Sequence, residues 1–150
     1  MISNALFSSN TDEWATPQEF FDIINAEFRF TLDAAANDSN AKCERYLTDA
    51  LNQPWDGVVW LNPPYSAAAQ FIKKAYEASL TGAVVVCLIP SRTDTKYWHD
   101  YVMKAAEIRF VAGRLRFGGS KNSAPFPSAL VIFRAHGGEV VIKSQQRSIK

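Results

Sequence analysis

Cysteine is scarce in this 150-residue chain, and its two cysteines, Cys43 and Cys87, stand far apart with no CxxC or CxxH companion. That spacing argues against both a disulfide framework and a zinc site. Cys87 lies inside the apolar run Ala83 to Ile89 and is expected to pack as a small hydrophobe. The two histidines, His99 and His136, have neither a nucleophile nor a metal-ligand pattern beside them, so neither is assigned a catalytic role. No apolar run reaches the ~18 residues that a membrane span needs. The start, Met1-Ile2-Ser3-Asn4, lacks the basic and apolar regions of a signal peptide. Repeats, low-complexity tracts and linkers are missing too. A single domain over residues 1–150 is expected, long enough to bury a core, with no metal and no membrane partner.

Excess charge of one sign is absent from the whole chain, whose formal net charge is +1, but not from its halves. Residues 1–75 carry five Lys/Arg against ten Asp/Glu, and residues 76–150 carry eleven against five. A polyanion is expected to meet the second half, where Arg109, Arg114, Arg116 and Lys121 cluster, and a cationic ligand suits the first. Two ordinary solvated faces would produce the same counts.

The hydrophobic pattern alternates between helix and strand. Thr16-Pro17 reads as a helix cap followed by proline at the first helical position, with Phe20, Phe21, Ile24 and Phe28 then recurring at helical spacing. A short strand over 28–32 is expected to end at Asp33. A helix from Ser66 or Ala67 to Leu80 is closed by Thr81-Gly82. Ala83 to Ile89, stopped by Pro90, reads as a strand buried on both faces. Thr95 to Ala105 reads as a helix, Glu107 to Val111 as a strand, and Ser128 to Phe133 with Glu139 to Lys143 as a hairpin. The implied fold class is α/β, a mostly parallel doubly wound sheet with an antiparallel edge hairpin. Ligands of such sheets bind beyond the carboxyl ends of the strands, where Asp33 and Asn62 both fall.

The most informative segment is Asn62-Pro63-Pro64-Tyr65, directly after the apolar run Val58-Val59-Trp60-Leu61. Proline fixes its own φ and pushes the preceding residue into extended geometry, so Asn62 and Pro63 are both held out of the helical region. A strand ending this way aims a side-chain amide, two backbone carbonyls and an aromatic ring at one point. An exocyclic amino group on a purine or cytosine is a poor nucleophile because its lone pair is delocalised. If the Asn62 oxygen and the Pro63 carbonyl each accept one of its N–H bonds, the nitrogen moves toward tetrahedral geometry and faces preorganised dipoles as positive charge develops. Tyr65 would stack on the ring. The plain structural alternative is a Pro-Pro turn that only ends a strand.

Asn-Pro-Pro-Tyr after a buried strand resembles the catalytic motif of S-adenosylmethionine-dependent amino methyltransferases. Trp14-Ala15-Thr16-Pro17, Leu32-Asp33-Ala34-Ala35-Ala36, Lys42-Cys43-Glu44-Arg45-Tyr46, Pro90-Ser91-Arg92-Thr93-Asp94-Thr95 and Gly113-Arg114-Leu115-Arg116-Phe117 surround it in order. Together they closely resemble the phage-type DNA N-6-adenine methyltransferases, over most of the chain. The resemblance implies a Rossmann-like methyltransferase fold, reduced in size, acting on DNA in the cytoplasm of a bacterial host. It implies S-adenosylmethionine as cofactor, with Asp33, Ala34 and Ala35 at the end of the first strand, Thr16-Pro17 near the methionine end and Asp49 near the adenine. Trp14 would flank a base or the cofactor, or belong to the core. Arg92 and Asp94 would contact phosphate or organise the site, and the Arg114/Arg116 pair beside Gly118-Gly119 suits phosphate contacts, or else forms a plain basic hairpin. Two departures stand out: no G-x-G loop follows Asp33, and residues 36–55 are too few for the usual second and third strands.

The chemistry expected is direct in-line transfer of a methyl group to N6 of adenine in DNA, without a covalent intermediate. No Pro-Cys nucleophile is present, which tells against methylation of cytosine C5. Cytosine N4, RNA adenine and glutamine amides offer the same planar amino group and remain open. So does a non-catalytic nucleic-acid-binding relic of the fold, given the missing glycine loop.

Overall fold

Short apolar runs rich in Val, Ile and Leu form the strands of one six-stranded sheet in a computed structural model that describes residues 15–117 and 124–149. The strands are β1 (Leu32–Asp33), β2 (Val58–Leu61), β3 (Val84–Pro90), β4 (Glu107–Val111), β5 (Ser128–Phe133) and β6 (Val141–Gln145). The α-helices are α1 (Gln18–Phe28), α2 (Ala68–Leu80) and α3 (Lys96–Asp100), joined by single 3-10 turns at Ala50–Asn52, Tyr65–Ala67 and Val102–Lys104. The sheet order is β1-β2-β3-β5-β4-β6. β1, β2 and β3 are parallel neighbours, β5 is antiparallel to both β3 and β4, and β6 is parallel to β4. Five strands therefore point one way, with β5 alone reversed.

Alternation along the strands sends side chains to two cores. Val59, Leu61, Val85, Cys87 and Ile89 face α2 and α3 through Phe71, Ile72, Ala75 and Trp98. Trp60, Val86, Leu88, Leu130 and Ile132 face α1 through Phe20, Phe21 and Ile24. Helices thus cover both faces, and the central strands β2 and β3 are buried from their second residue on, as parallel pairing between helical layers requires. The Cys87 side chain is fully buried among these aliphatics.

Three expectations are corrected. The antiparallel edge hairpin does not form: β5 already has β3 and β4 on its two flanks, so the last strand joins the open edge of β4 instead, Glu107 opposite Val141. The first strand is only two residues long, because α1 runs on to Phe28 and closes with Arg29 in the left-handed region (φ 57°), its N–H bonded to Asn25. The Asn25 side chain then takes the Phe30 N–H at 2.8 Å, so Phe28 and Phe30 stack as a cap on the α1 core rather than extending as a strand. The helix over 95–105 is broken at Tyr101 (φ −126°), which separates α3 from the 3-10 turn.

The shortage of residues between Ala36 and Trp55 has a definite structural outcome. Instead of further strands, residues 45–47 fold back along β1: Asp33 N–H bonds Arg45, Leu47 N–H bonds Asp33, and a single parallel bridge joins Asp33 to Tyr46.

Candidate active site

β1 and β2 run parallel with Asp33 opposite Trp60, so Asp33 and Asn62 leave the sheet at one edge. Arg92 follows β3 at that edge, the segment Gly113–Phe117 follows β4, and Phe126–Pro127 precede the antiparallel β5 there, Ser91 N–H bonding the Pro127 carbonyl at 2.9 Å. Sheet direction alone brings these distant residues together.

Asp33 is 3 % exposed and lines a cavity of about 260 Å³. Its carboxylate accepts the backbone N–H of Lys42 at 2.9 Å and that of Ala35 at 3.3 Å. Burial raises its pKa to about 6, and these two bonds with the Lys42 charge only partly oppose the rise. The same cavity is lined by Thr16, Ala35, Ala36, Lys42, Asn62 and Pro64. Lys42 reaches the start of α1, its ammonium donating to Gln18 Oε1 at 2.8 Å.

Asn62 lines the same cavity, and its Nδ2 donates to Thr16 Oγ1 at 3.0 Å. The expected helix cap at Thr16 is corrected by this bond. Pro17 itself is the cap residue (φ −57°, ψ 132°), no side chain caps α1, and Thr16 lies one residue further out with its hydroxyl turned to Asn62. Pro63 is buried. The Pro64 carbonyl accepts the Ala67 N–H at 3.0 Å, which starts the 3-10 turn leading into α2. Of the two proline carbonyls, Pro64's is thus engaged by the helix start.

Tyr65 packs edge-on against Phe126, ring centroids 5.4 Å apart, and Phe126 in turn tilts against Phe117 at 6.0 Å. Burial pushes the Tyr65 phenol up, Tyr97 adds to this and the Arg92 charge opposes it. Residues 114–117 alternate: Leu115 and Phe117 are buried while Arg114 and Arg116 are exposed, which puts both arginines on one face as expected. The segment is tied down by Ala124 N–H to Leu115 at 2.7 Å and by Arg114 Nη1 to the Ala124 carbonyl at 3.1 Å.

The chain from residue 3 to residue 148 matches the family described as DNA N-6-adenine-methyltransferase (Dam). The chain belongs to that family. It is similar to the DNA N-6-adenine-methyltransferase of Escherichia phage T1, 29% identical over 144 residues that cover 92% of this chain and 60% of that protein. It is also similar to the enzyme of the same name from Haemophilus phage HP1, 30% identical over 154 residues covering 94% of this chain and 89% of that one. This member of the Dam family therefore spans less than two thirds of the phage T1 relative's length.

The motif residues of this family member do not all converge. Thr16, Asp33, Ala35, Asn62 and Pro64 line one cavity, whereas Ala34 is buried with its N–H bonded to Trp60 at 2.9 Å. Pro17 is half-buried at the head of α1. Asp49 is exposed and accepts from Asn52 Nδ2 at 3.0 Å, while its neighbours Thr48 and Ala50 face the cavity. Arg109, placed in the basic cluster expected to meet a polyanion, is instead buried beside Glu107 and forms a bidentate pair with Glu27 at 2.7 Å. Trp14, Gly118, Gly119 and Lys121 lie outside the described residues. Lys42, Asn37 and Asn40 line the cavity without having been singled out for it. The run Asn37-Asp38-Ser39-Asn40 does signal a turn, and Asn37 Oδ1 accepts the Ser39 and Asn40 N–H groups at 2.9 and 3.2 Å, but nothing in the run announces a ligand. Among the described residues there is no group of three or more potential metal ligands and no helix long and apolar enough to cross a membrane.

Proposed function

We propose that this chain transfers the methyl group of S-adenosylmethionine to N6 of adenine in DNA. The observation that carries the reading is one cavity lined by both the buried Asp33 and Asn62, which follow neighbouring parallel strands. The cavity suits a zwitterionic amino acid joined to a nucleoside. Asp33 would pair with the ammonium, Lys42 offers the complementary charge for the carboxylate, and Ala35 and Ala36 leave room for the body of the cofactor beside the backbone. Bound there, S-adenosylmethionine supplies an electrophilic methyl group on sulfonium.

The residues of the chain do the remaining work. Asn62 Oδ1 and the Pro63 carbonyl accept the two N–H bonds of the adenine amino group and stabilise the charge that grows on nitrogen. Tyr65, braced by Phe126, forms an aromatic wall for the base. Arg92, Arg114 and Arg116 contact phosphate and position the strand. A duplex target must leave the stack to reach this depth, which costs a few kcal/mol. The reduced sheet, with residues 45–47 in place of outer strands, supports reading the fold as a small Rossmann-like methyltransferase fold. The phage relatives support a bacterial cytoplasm as the place of action.

The test is transfer of labelled methyl from S-adenosylmethionine to equal amounts of unmodified DNA, RNA and a glutamine-containing peptide, followed by digestion. Label in N6-methyladenine from DNA supports the reading. Preferential labelling of cytosine N4, RNA or the peptide would overturn the choice of substrate, and no cofactor binding heat at millimolar concentration would overturn the enzyme.

A further inference from the structure

We propose that Thr16 is a positioning residue that fixes the place and plane of the Asn62 amide. The inference rests on the reading above, in which Asn62 Oδ1 receives the adenine amino group. An asparagine amide has an oxygen and a nitrogen of nearly equal size, and rotation by half a turn exchanges an acceptor for a donor. Only one orientation is productive. The reversed one points N–H groups at the N–H groups of the substrate.

A threonine hydroxyl can accept or donate, so the bond to Thr16 does not by itself choose between the two orientations, but it does fix the place and plane of the amide. Thr16 Oγ1 accepts from Asn62 Nδ2 at 3.0 Å across 46 residues of sequence, with Oδ1 on the opposite side of the amide. The hydroxyl sits on a stiff mount. Thr16 is 5 % exposed and precedes proline, which holds it extended. The Pro17 carbonyl accepts the Phe21 N–H at 3.0 Å, and Phe21 lies edge-on to Trp60 with centroids 5.2 Å apart. Trp60 belongs to β2, the strand that delivers Asn62, so both partners of the hydrogen bond are fixed to one sheet. Thr16 also lines the cavity assigned to the cofactor. It therefore stands between the two substrates, and cofactor contact alone does not account for its bond to Asn62.

The test compares Thr16→Val, which keeps the shape and removes the acceptor, with Thr16→Ser, which keeps the hydroxyl. At saturating cofactor and DNA, single-turnover methyl transfer by Thr16→Val falls about tenfold or more, the size expected for losing one orienting hydrogen bond, and Thr16→Ser recovers most of it. The calorimetric Kd for S-adenosylmethionine is measured in both, because Thr16 also lines the cofactor cavity and the expected loss lies in the transfer step at saturating cofactor. A second readout needs no activity. The Asn62 side-chain amide resonances, identified by their loss in Asn62→Ala, shift in Thr16→Val and return in Thr16→Ser. If Thr16→Val does not fold, Thr16→Ala is read in its place. The proposal is overturned if the resonances are unmoved, if the rate is kept, or if the whole loss lies in cofactor affinity. Shifted resonances in a protein that never methylates adenine would leave the Thr16–Asn62 bond standing and sink the reading of the reaction instead.

Discussion

Lys42 donates its backbone N–H to Asp33 Oδ2 at 2.9 Å, so a loop without regular structure holds a buried carboxylate of the cavity wall. Burial still dominates, and Asp33 titrates near 6 rather than at the ordinary 3.8. A raised carboxylate pKa favours the folded state at low pH: the contribution is full below 3.8 and is lost as pH rises through about 6. For that shift it amounts to about 3 kcal/mol. Denaturant titrations of the ligand-free protein from pH 4 to 7 should therefore show a falling stability component that Asp33→Asn lacks. Cofactor affinity should run the other way, weakening about tenfold per pH unit below 6 as the carboxylate is protonated. Parallel curves for wild type and Asp33→Asn in both experiments would contradict this.

Arg109 is a strut inside the fold. Its guanidinium bonds Glu27 twice at 2.7 Å, Gln145 at 3.1 Å and the buried Glu107, and it lies over the Phe28 ring at 5.5 Å. The pairing holds the Glu27 carboxyl below its usual range. Arg109→Ala leaves Glu107, 3 % exposed, with only Arg134 at 3.6 Å and Lys143 at 3.7 Å. Loss of about 3 kcal/mol of stability is expected, since a buried charge has lost its nearest partner. Gel-shift affinity of the folded variant for DNA should match wild type.

Arg114 and Arg116 are exposed on one face, while Leu115 and Phe117 anchor the segment from beneath. Replacing either arginine with alanine should leave the fold intact and weaken DNA binding similarly on every sequence. Each replacement should reduce the slope of log affinity against log salt by about 1. An unchanged slope in both variants would remove this segment from the DNA surface.

The legible part of the molecule was local. The run Val58–Leu61, the Asn-Pro-Pro-Tyr stop and the helix to Leu80 form one continuous strand, turn and helix, and each boundary is marked by proline chemistry or helical spacing. β3 was equally plain, ending at Pro90. What escaped was set by partners distant in sequence. β6 reads as half of a hairpin until β5 is seen to have both flanks occupied. Arg109 reads as surface charge until Glu27, 82 residues away, comes to it. Thr16 fits a capping pattern, and its bond to Asn62 depends on α1 docking against Trp60. The hold of Lys42 on Asp33 belongs to its backbone, which no side-chain pattern reveals.

The measurement closest to the central claim pairs methyl transfer with cofactor binding in wild type and Asn62→Ala. Wild type should place label on N6-methyladenine in DNA. Asn62→Ala should bind S-adenosylmethionine within about threefold of wild type and lose at least 10²–10³ of the turnover, as removal of a preorganised dipole at the reacting nitrogen requires. Turnover retained in Asn62→Ala would mean that the amide does not hold the target, and the reading of this site would fail.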